Sequence, residues 1–435
     1  MENIFSAKLI NDLNASCSQF HVVKNLEREL LRANFKEIGE NEKWELLREG
    51  KYFIKRNDSS LIAFSLPETI SDHSFKIVAT HTDSPTFKIK PNAFSKEENA
   101  TVLEIEPYGS PIFASWVDRP LSIAGRIIYS EENKINSTLV NIDRDLLIIP
   151  SLAIHLNRET NKGVAYNPSK DLRPLIGINL PNEYSLLDLL KKEIGENKEI
   201  ISYDLYLYNR SKASTLGVNE ELISSPRLDD LASTYSSLYG FINSVNQEQI
   251  SILACFDNEE VGSLTRQGAN STFLKDTLYR IVKEMGFAID FEKIIAKSML
   301  ISIDNAHAIH PNYLEMSAKN NKVLLNEGIV IKYNANQSYT TDGLSSALVK
   351  SICKKYALPY QEYTNRSDLK GGSTLGNISN SEISLLSADI GLPQLSMHSS
   401  YETMGKDDVL TMVNFVKNYF NETIVLDGTA FYLRK

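Results

Sequence analysis

From about residue 220 onward the 435-residue chain alternates between short apolar runs and longer stretches with helical spacing. "QISILACF", "KSMLISID" and "SEISLLSADIG" have the length and texture of strands. "LDDLASTYSSLYGFINSV", "STFLKDTLYRIVKEMG", "GLSSALVKSICKKYA" and the closing "DDVLTMVNFVKNYFNETIV" read as helices. Unbroken apolar runs suit strands buried on both faces, and strand–helix alternation suits parallel strands joined by crossover helices. The pattern predicts an α/β fold, a mostly parallel sheet sandwiched by helices.

The same signature opens the chain and then lapses. Ile10, Leu13, Phe20, Val23, Leu26, Leu30 and Leu31 recur at helical spacing, and "KWELLREGKYFIKRNDSSLIAFSLP" holds two or three strands around the polar turn "RNDSS". "SFKIVATHTDSP" is an apolar strand that ends in polar residues and a proline. From about 91 to 220 the texture changes. "TVLEIEPYG", "SIAGRIIYS" and "TLVNID" alternate or run short between turns, as antiparallel strands do, and "ENKINST" and "NRETNKGVAYNPSKD" read as loops. A chain of this length exceeds one compact core. The expected organisation is a discontinuous α/β unit, 1–90 and 221–435, interrupted by a β-rich insert at 91–220.

In open α/β sheets ligands bind beyond the carboxyl ends of the strands, so residues just past each apolar run are candidates. These ends collect His81 and Asp83 from "ATHTDSP", Asp229 and Asp230 from "SPRLDDLAS", and Glu259 and Glu260 from "SILACFDNEEVGS". They also collect Asp304, His307 and His310 from "ISIDNAHAIHP", and His398 and Glu402 from "LPQLSMHSSYE". Two adjacent glutamates repel each other and are costly to bury without a partner. Alone they suit the first turn of a helix, as Asp229 suits a helix cap and His81 a buried imidazole satisfied by Asp83. Jointly, imidazoles among carboxylates match the donors preferred by zinc and related divalent ions. Residues two apart on an extended segment share a face, so Asp83 can accept from the His81 N–H turned away from a metal and fix its tautomer. "GGSTLG" lacks the Gly-Lys-Ser/Thr of a phosphate loop. His307 and His310, three apart and without HExxH, do not make a helical zinc motif.

A net charge of -9 argues against nucleic acid and anionic membranes as partners. Cys17, Cys255 and Cys353 are far apart with no CxxC pair, which fits a reducing compartment. The N-terminus is not that of a signal peptide, and no stretch approaches the ~20 apolar residues of a membrane span. A cytoplasmic protein is expected.

In this order and at these separations, "ATHTDSP", "SPRLDDL", "FDNEEVGS", "DNAHAIHPN" and "GLPQLSMHS" resemble the aspartyl aminopeptidase family, dinuclear-zinc enzymes related to yeast vacuolar aminopeptidase I. "IPSLAIHLNR" and "GIVIKYN" are similar to that family too, and the likeness covers essentially the whole chain. It implies the phosphorylase-like fold of zinc aminopeptidases, with the insert as an oligomerisation domain, and an enzyme releasing single N-terminal residues from peptides. It implies two divalent ions per subunit, zinc first, with manganese or cobalt as substitutes. His81 and Asp304 would hold one ion and Glu260 and His398 the other, with Asp229 bridging and a cis bond between Asp229 and Asp230. Glu259 would be no ligand but the general base and acid. His155 in "AIHLNR" would reach a neighbouring subunit's active site within a dodecamer built from dimers. Lys332 in "VIKYN" matches a position thought to face the first-residue pocket, whereas the residues alone equally allow a solvated lysine on an exposed strand. Family members prefer either acidic or neutral apolar first residues, and both remain open here. The rivals are a dinuclear-zinc carboxypeptidase or deacylase, which needs a site for a free carboxylate, and an inactive shell-forming, peptide-binding protein, which the intact Glu259 disfavours.

Overall fold

The computed structural model describes residues 4–70, 73–245, 248–369, 371–372 and 374–434. The apolar runs form the centre of a nine-stranded sheet. Its order is Lys36–Glu37, Lys51–Arg56, Ser60–Ser65, Ile250–Phe256, Phe75–His81, Met299–Ile303, Leu386–Gly391, Ile329–Tyr333 and Tyr360–Thr364. Four consecutive strands, from Ile250–Phe256 to Leu386–Gly391, run parallel and in register. Phe256 lies beside His81, and Ser302 beside both Ala79 and Asp389, so the carboxyl ends finish on one line.

Alternate residues of a strand face opposite sides. Val78, Leu253 and Ile301 pack with the helices Leu228–Ile242 and Asp407–Asn421, while Ile77, Ala79, Ile252 and Ala254 meet the helix Phe273–Glu284. Both faces are sealed, which is why these strands are apolar throughout.

A separate antiparallel domain holds six strands in the order Lys134–Asn141, Leu121–Glu131, Glu199–Asn209, Thr86–Glu97, Ala100–Tyr108 and Leu175–Ile178. It has its own core around Phe87, Trp116, Ile123 and Leu205. A five-stranded sheet includes Ala306–His307 and Pro393–Leu395, which follow two of the central strands within a few residues, and the neighbouring strands Glu402–Gly405 and Leu222–Ser225. No helix among the described residues is long and apolar enough to cross a membrane.

Several stretches differ from their sequence expectation. The N-terminal helical stretch is two helices, Ile4–Ala15 and Gln19–Arg32. "ENKINST", read as a loop, is mostly the strand Lys134–Asn141. Its turn is confined to Glu132 and Asn133, both at positive φ, and an edge strand can carry polar residues. The insert also contains the helix Leu186–Ile194, started by a Ser185–Asp188 capping box. Only the second half of "SEISLLSADIG" is strand, because Ser381 and Glu382 end the helix Leu375–Glu382. The closing helix stops at Asn421, and its last residues enter a hairpin of Thr423–Asp427 with Ala430–Arg434.

The helices Leu228–Ile242 and Asp407–Asn421 approach closely at Gly240, where an added methyl would stand 2.6 Å from Val416 Cβ and 2.8 Å from the Val413 carbonyl oxygen. Overpacking of this kind costs about 1–3 kcal/mol. Gly240→Ala is expected to lower the thermal midpoint measurably, and an unchanged melting curve would contradict the tight crossing.

Candidate metal centre

The register of the parallel strands delivers polar residues to one place. His81 ends its strand, and Asp304 immediately follows Met299–Ile303. Glu259 and Glu260 follow Ile250–Phe256 after a turn in which Asn258 is left-handed, φ +63°, a conformation asparagine tolerates. Asp229 opens the helix Leu228–Ile242 with non-helical backbone, and the Asp229–Asp230 peptide bond is cis. His398 sits at φ +68° in the turn between Pro393–Leu395 and Glu402–Gly405. All six side chains apart from Asp230 line one cleft of about 400 Å³.

Asp229 is the centre of the arrangement. One carboxylate oxygen is 3.7 Å from His81 Nε2, and the other is 3.6 Å from His398 Nε2. His81 Nε2 is also 3.9 Å from Asp304 Oδ1, and His398 Nε2 is 3.4 Å from Glu260 Oε2. Donors bound to one zinc at roughly 2.1 Å and tetrahedral angles stand about 3.4 Å apart, so these spacings suit donors around a shared cation. Asp229 Oδ1, Asp230 Oδ1 and Glu260 Oε1 are buried without a hydrogen-bond partner, as expected of atoms meant for one. Among the described residues the donors fall into three overlapping sets, His81–Asp229–Asp230–Asp304, His81–Glu259–Glu260 and Asp229–Glu260–His398, each within 4.8 Å. Each set could hold a divalent ion. Asp230 already accepts the backbone N–H of His81, 3.2 Å away.

The next layer fixes tautomers and backbone. His81 Nδ1 lies 3.2 Å from the Asp83 carbonyl oxygen and 3.4 Å from its carboxylate. The carbonyl, rather than the carboxylate expected from the spacing, is the nearer partner. The carboxylate is drawn elsewhere: it accepts from the backbone N–H of Glu259 at 3.1 Å and of Glu260 at 3.2 Å, and from the Tyr108 hydroxyl at 2.8 Å. His398 Nδ1 donates to the Ser110 carbonyl at 3.1 Å. A carbonyl only accepts, so both imidazoles carry a hydrogen on Nδ1 and leave Nε2 to the cluster, where it can bind a cation. Without one, burial opposes the charge of the His81 ring, but Asp230, Asp304 and Asp83 raise it well above the usual imidazole range. Glu402 joins the two sides, accepting from the backbone N–H of Asp229 at 3.0 Å and of His398 at 2.7 Å.

Burial dominates the electrostatics. It pushes the Glu259 carboxyl up to about 8 against the pull of His81, and Asp229 up to about 6 with Asp304 adding repulsion. Burial and then Asp229 hold Glu260 well above the carboxylate range. Burial opposes ionisation of Asp304 too, yet the Lys332 ammonium and the His81 ring hold it at about 2. Without cations the cluster keeps protons near neutral pH, and divalent charge would displace them.

The remaining candidates lie further out. Lys332 is not a solvated surface lysine. It is 2% exposed, lines the cleft, and donates to the carbonyls of Asp304 at 2.7 Å and Asn305 at 3.1 Å. His155 is exposed on the insert and does not line the cleft of its own chain. His307 stands at the cleft wall, and His310 accepts from the Asn312 backbone N–H. Sequence reasoning did not single out Tyr108, Ser110 or Asn258, and gave Glu402 no role. Their partners are remote in the chain, and no spacing rule connects them.

A family model described as "Aminopeptidase I zinc metalloprotease (M18)" matches residues 13–420. The chain is similar to a probable M18 family aminopeptidase 2 of Clostridium acetobutylicum, 44% identical over 426 residues that span 96% of this chain and 98% of the relative. Its fold is similar to a chain in the cryo-electron-microscopy structure of the Ape4 and Nbr1 complex, with TM-score 0.93, 35% identity and coverage of 96% and 85%. It is also similar to the S. cerevisiae mApe1 dodecamer, with TM-score 0.82, 26% identity and coverage of 96% of each chain.

Because Asp229 and Glu259 hold protons more tightly folded than unfolded, their stabilising contribution is full below about pH 4. It is lost as pH rises through about 6 and about 8. Between pH 6 and 8 the thermal midpoint of zinc-free protein is expected to fall, and added zinc to restore it with release of protons. A midpoint that stays level or climbs over that range in chelator would count against the crowded carboxylates.

Proposed function

The chain belongs to the M18 family of zinc aminopeptidases, and from that premise we propose that it removes single residues from peptide N-termini with two divalent cations per subunit and Glu259 as the proton carrier. The observation that carries this reading is the Asp229 carboxylate, which turns one oxygen to each of two imidazoles. On this reading His81 and Asp304 hold one ion, Glu260 and His398 the other, and Asp229 bridges them. Carboxylate-rich donors accept manganese or cobalt as well as zinc. When bound, the cations supply Lewis acidity, making a water acidic near neutral pH and polarising a peptide carbonyl.

The chain's own groups do the rest. Glu259 projects into the cleft from backbone pinned by Asp83, and burial brings its carboxyl close to neutrality, where a group can both take and return a proton. It takes the proton of the attacking water as the new C–O bond forms. It returns that proton to the amide nitrogen as the C–N bond breaks, leaving a free amino acid and a shortened peptide.

Lys332 supports a preference for acidic first residues. Its ammonium stands on the cleft wall as a buried positive charge, donating to two carbonyls with Asp304 Oδ2 3.7 Å away, and a cation bound by Asp304 would leave that charge to a substrate carboxylate. His155 stands in an exposed run with Leu152, Ile154 and Leu156, a surface of the kind a second copy covers. That run, with the likeness to the mApe1 dodecamer, supports a dodecamer built from dimers in which His155 contacts a neighbouring subunit's cleft.

Glu259→Gln is expected to retain zinc and fold while turnover falls by ~10²–10⁴. Hydrolysis of Asp-, Glu-, Leu- and Ala-nitroanilides, with chelator and with zinc, manganese or cobalt restored, reads both parts of the proposal. Near-normal turnover by the variant would remove Glu259 from its role, and a tenfold preference for Leu or Ala would remove Lys332 from its own. Light scattering of the purified chain should report a particle of twelve subunits, and a stable monomer would contradict the assembly.

A further inference from the structure

We propose that Tyr108, carried by the inserted sheet, is a positioning residue for peptide hydrolysis: its hydroxyl orients the Asp83 carboxylate that holds Glu259 and Glu260, so the seating of the insert sets the geometry of the cluster. This deepens the aminopeptidase reading and rests on it.

Tyr108 ends the strand Ala100–Tyr108, is 8% exposed, and packs edge-on against Tyr206 with ring centres 5.4 Å apart. Its hydroxyl donates to Asp83 Oδ2 at 2.8 Å and accepts from Asn258 Nδ2 at 2.8 Å. Both lone directions of the phenol are therefore used, and the ring packing leaves it little freedom. Asp83 passes that order on. Its Oδ1 accepts the Glu259 N–H and its Oδ2 the Glu260 N–H, the backbone of both acids that follow the Ile250–Phe256 strand. Asn258, one residue earlier, is itself held by Thr265 Oγ1 at 2.8 Å and Gln267 Nε2 at 2.9 Å.

The two residues after Tyr108 extend the contact. Gly109 has φ +71°, and an added methyl would stand 3.1 Å from Glu260 Cβ, so the insert's chain runs directly against Glu260. Ser110 supplies the carbonyl that takes the Nδ1 hydrogen of His398. Three consecutive residues of the insert thus touch Asp83, Glu260 and His398. A phenol needed only for packing could satisfy its hydroxyl on any acceptor. This one uses the carboxylate that both glutamates share, where a displacement near 1 Å can cost ~10²-fold in rate.

Tyr108→Phe in the full chain keeps the ring and removes the hydroxyl. Partners of this kind typically change activity or metal affinity by about 10–100-fold. The expected result is a kcat roughly tenfold lower with KM within about twofold, and zinc lost to a competing chelator about tenfold more readily, at a thermal midpoint close to the unaltered chain's. Tyr206→Phe, which removes a hydroxyl from the same ring cluster but not from Asp83, should leave kcat and zinc retention unchanged. Unaltered kcat and zinc retention in Y108F would overturn the proposal, as would a Y108F that fails to fold or an equal loss in Y206F. Zinc retention is read without substrate. Failure of the unaltered chain to cleave any N-terminal substrate would therefore sink the aminopeptidase reading and still leave Tyr108 judged on the metal.

Discussion

A carboxylate 3% exposed, with an oxygen that no hydrogen reaches and an imidazole on either side, is the constraint that the surrounding structure serves. Isolated charge is expensive to bury, and a protein relieves it with opposite charge, with donors, or by protonation. Opposite charge and protonation both operate around Asp229: the His81 and His398 rings flank its carboxylate and favour its charge, while burial and Asp304 lift its carboxyl to about 6. Lys332 adds a cation behind Asp304. This cluster is organised to receive positive charge.

The organisation comes from backbone more than from side chains. Parallel strands in register end together, but their ends alone would point donors in scattered directions. Turns aim the donors, in left-handed conformations at Asn258 after the central strand Ile250–Phe256, and at Arg227 and His398 after the strands Leu222–Ser225 and Pro393–Leu395 of the five-stranded sheet, none of them glycine. Such conformations persist where surroundings over-determine them, and they gather at functional sites. At His398 the surroundings are visible: Glu402 takes its N–H and Ser110 takes its ring hydrogen.

Much of this was legible in the sequence because it follows from periodicity. The apolar runs predicted the central strands, and the rule that ligands gather past strand ends placed His81, Asp229, Glu260, Asp304 and His398 among eleven candidates, from which only the family resemblance singled out these five. Local rules failed where the partner was remote. The same-face argument paired His81 with Asp83 but could not foresee that Tyr108 and two backbone N–H groups would claim the carboxylate, leaving the carbonyl nearer the ring. The single charge in "VIKYN" could not announce its own burial, since that depends on the neighbouring Leu386–Gly391 strand and on the Asp304 and Asn305 carbonyls. "ENKINST" misled because an edge strand and a loop carry the same polar composition.

The route of the chain into and out of the antiparallel domain has a mechanical consequence. It leaves the central sheet just after His81 and comes back just before Asp229, and at that crossing the Ser84 hydroxyl donates to the Asp229 carbonyl at 2.7 Å. The domain is seated along a seam as well: Arg126 donates to the Asn57 carbonyl at 2.8 Å, Asn209 to the Ser400 carbonyl at 2.9 Å, and Phe20 packs with Tyr108 and Tyr206. A tug or twist applied to its far end by a neighbour is therefore shared along that seam, whose inner edge is the cluster itself.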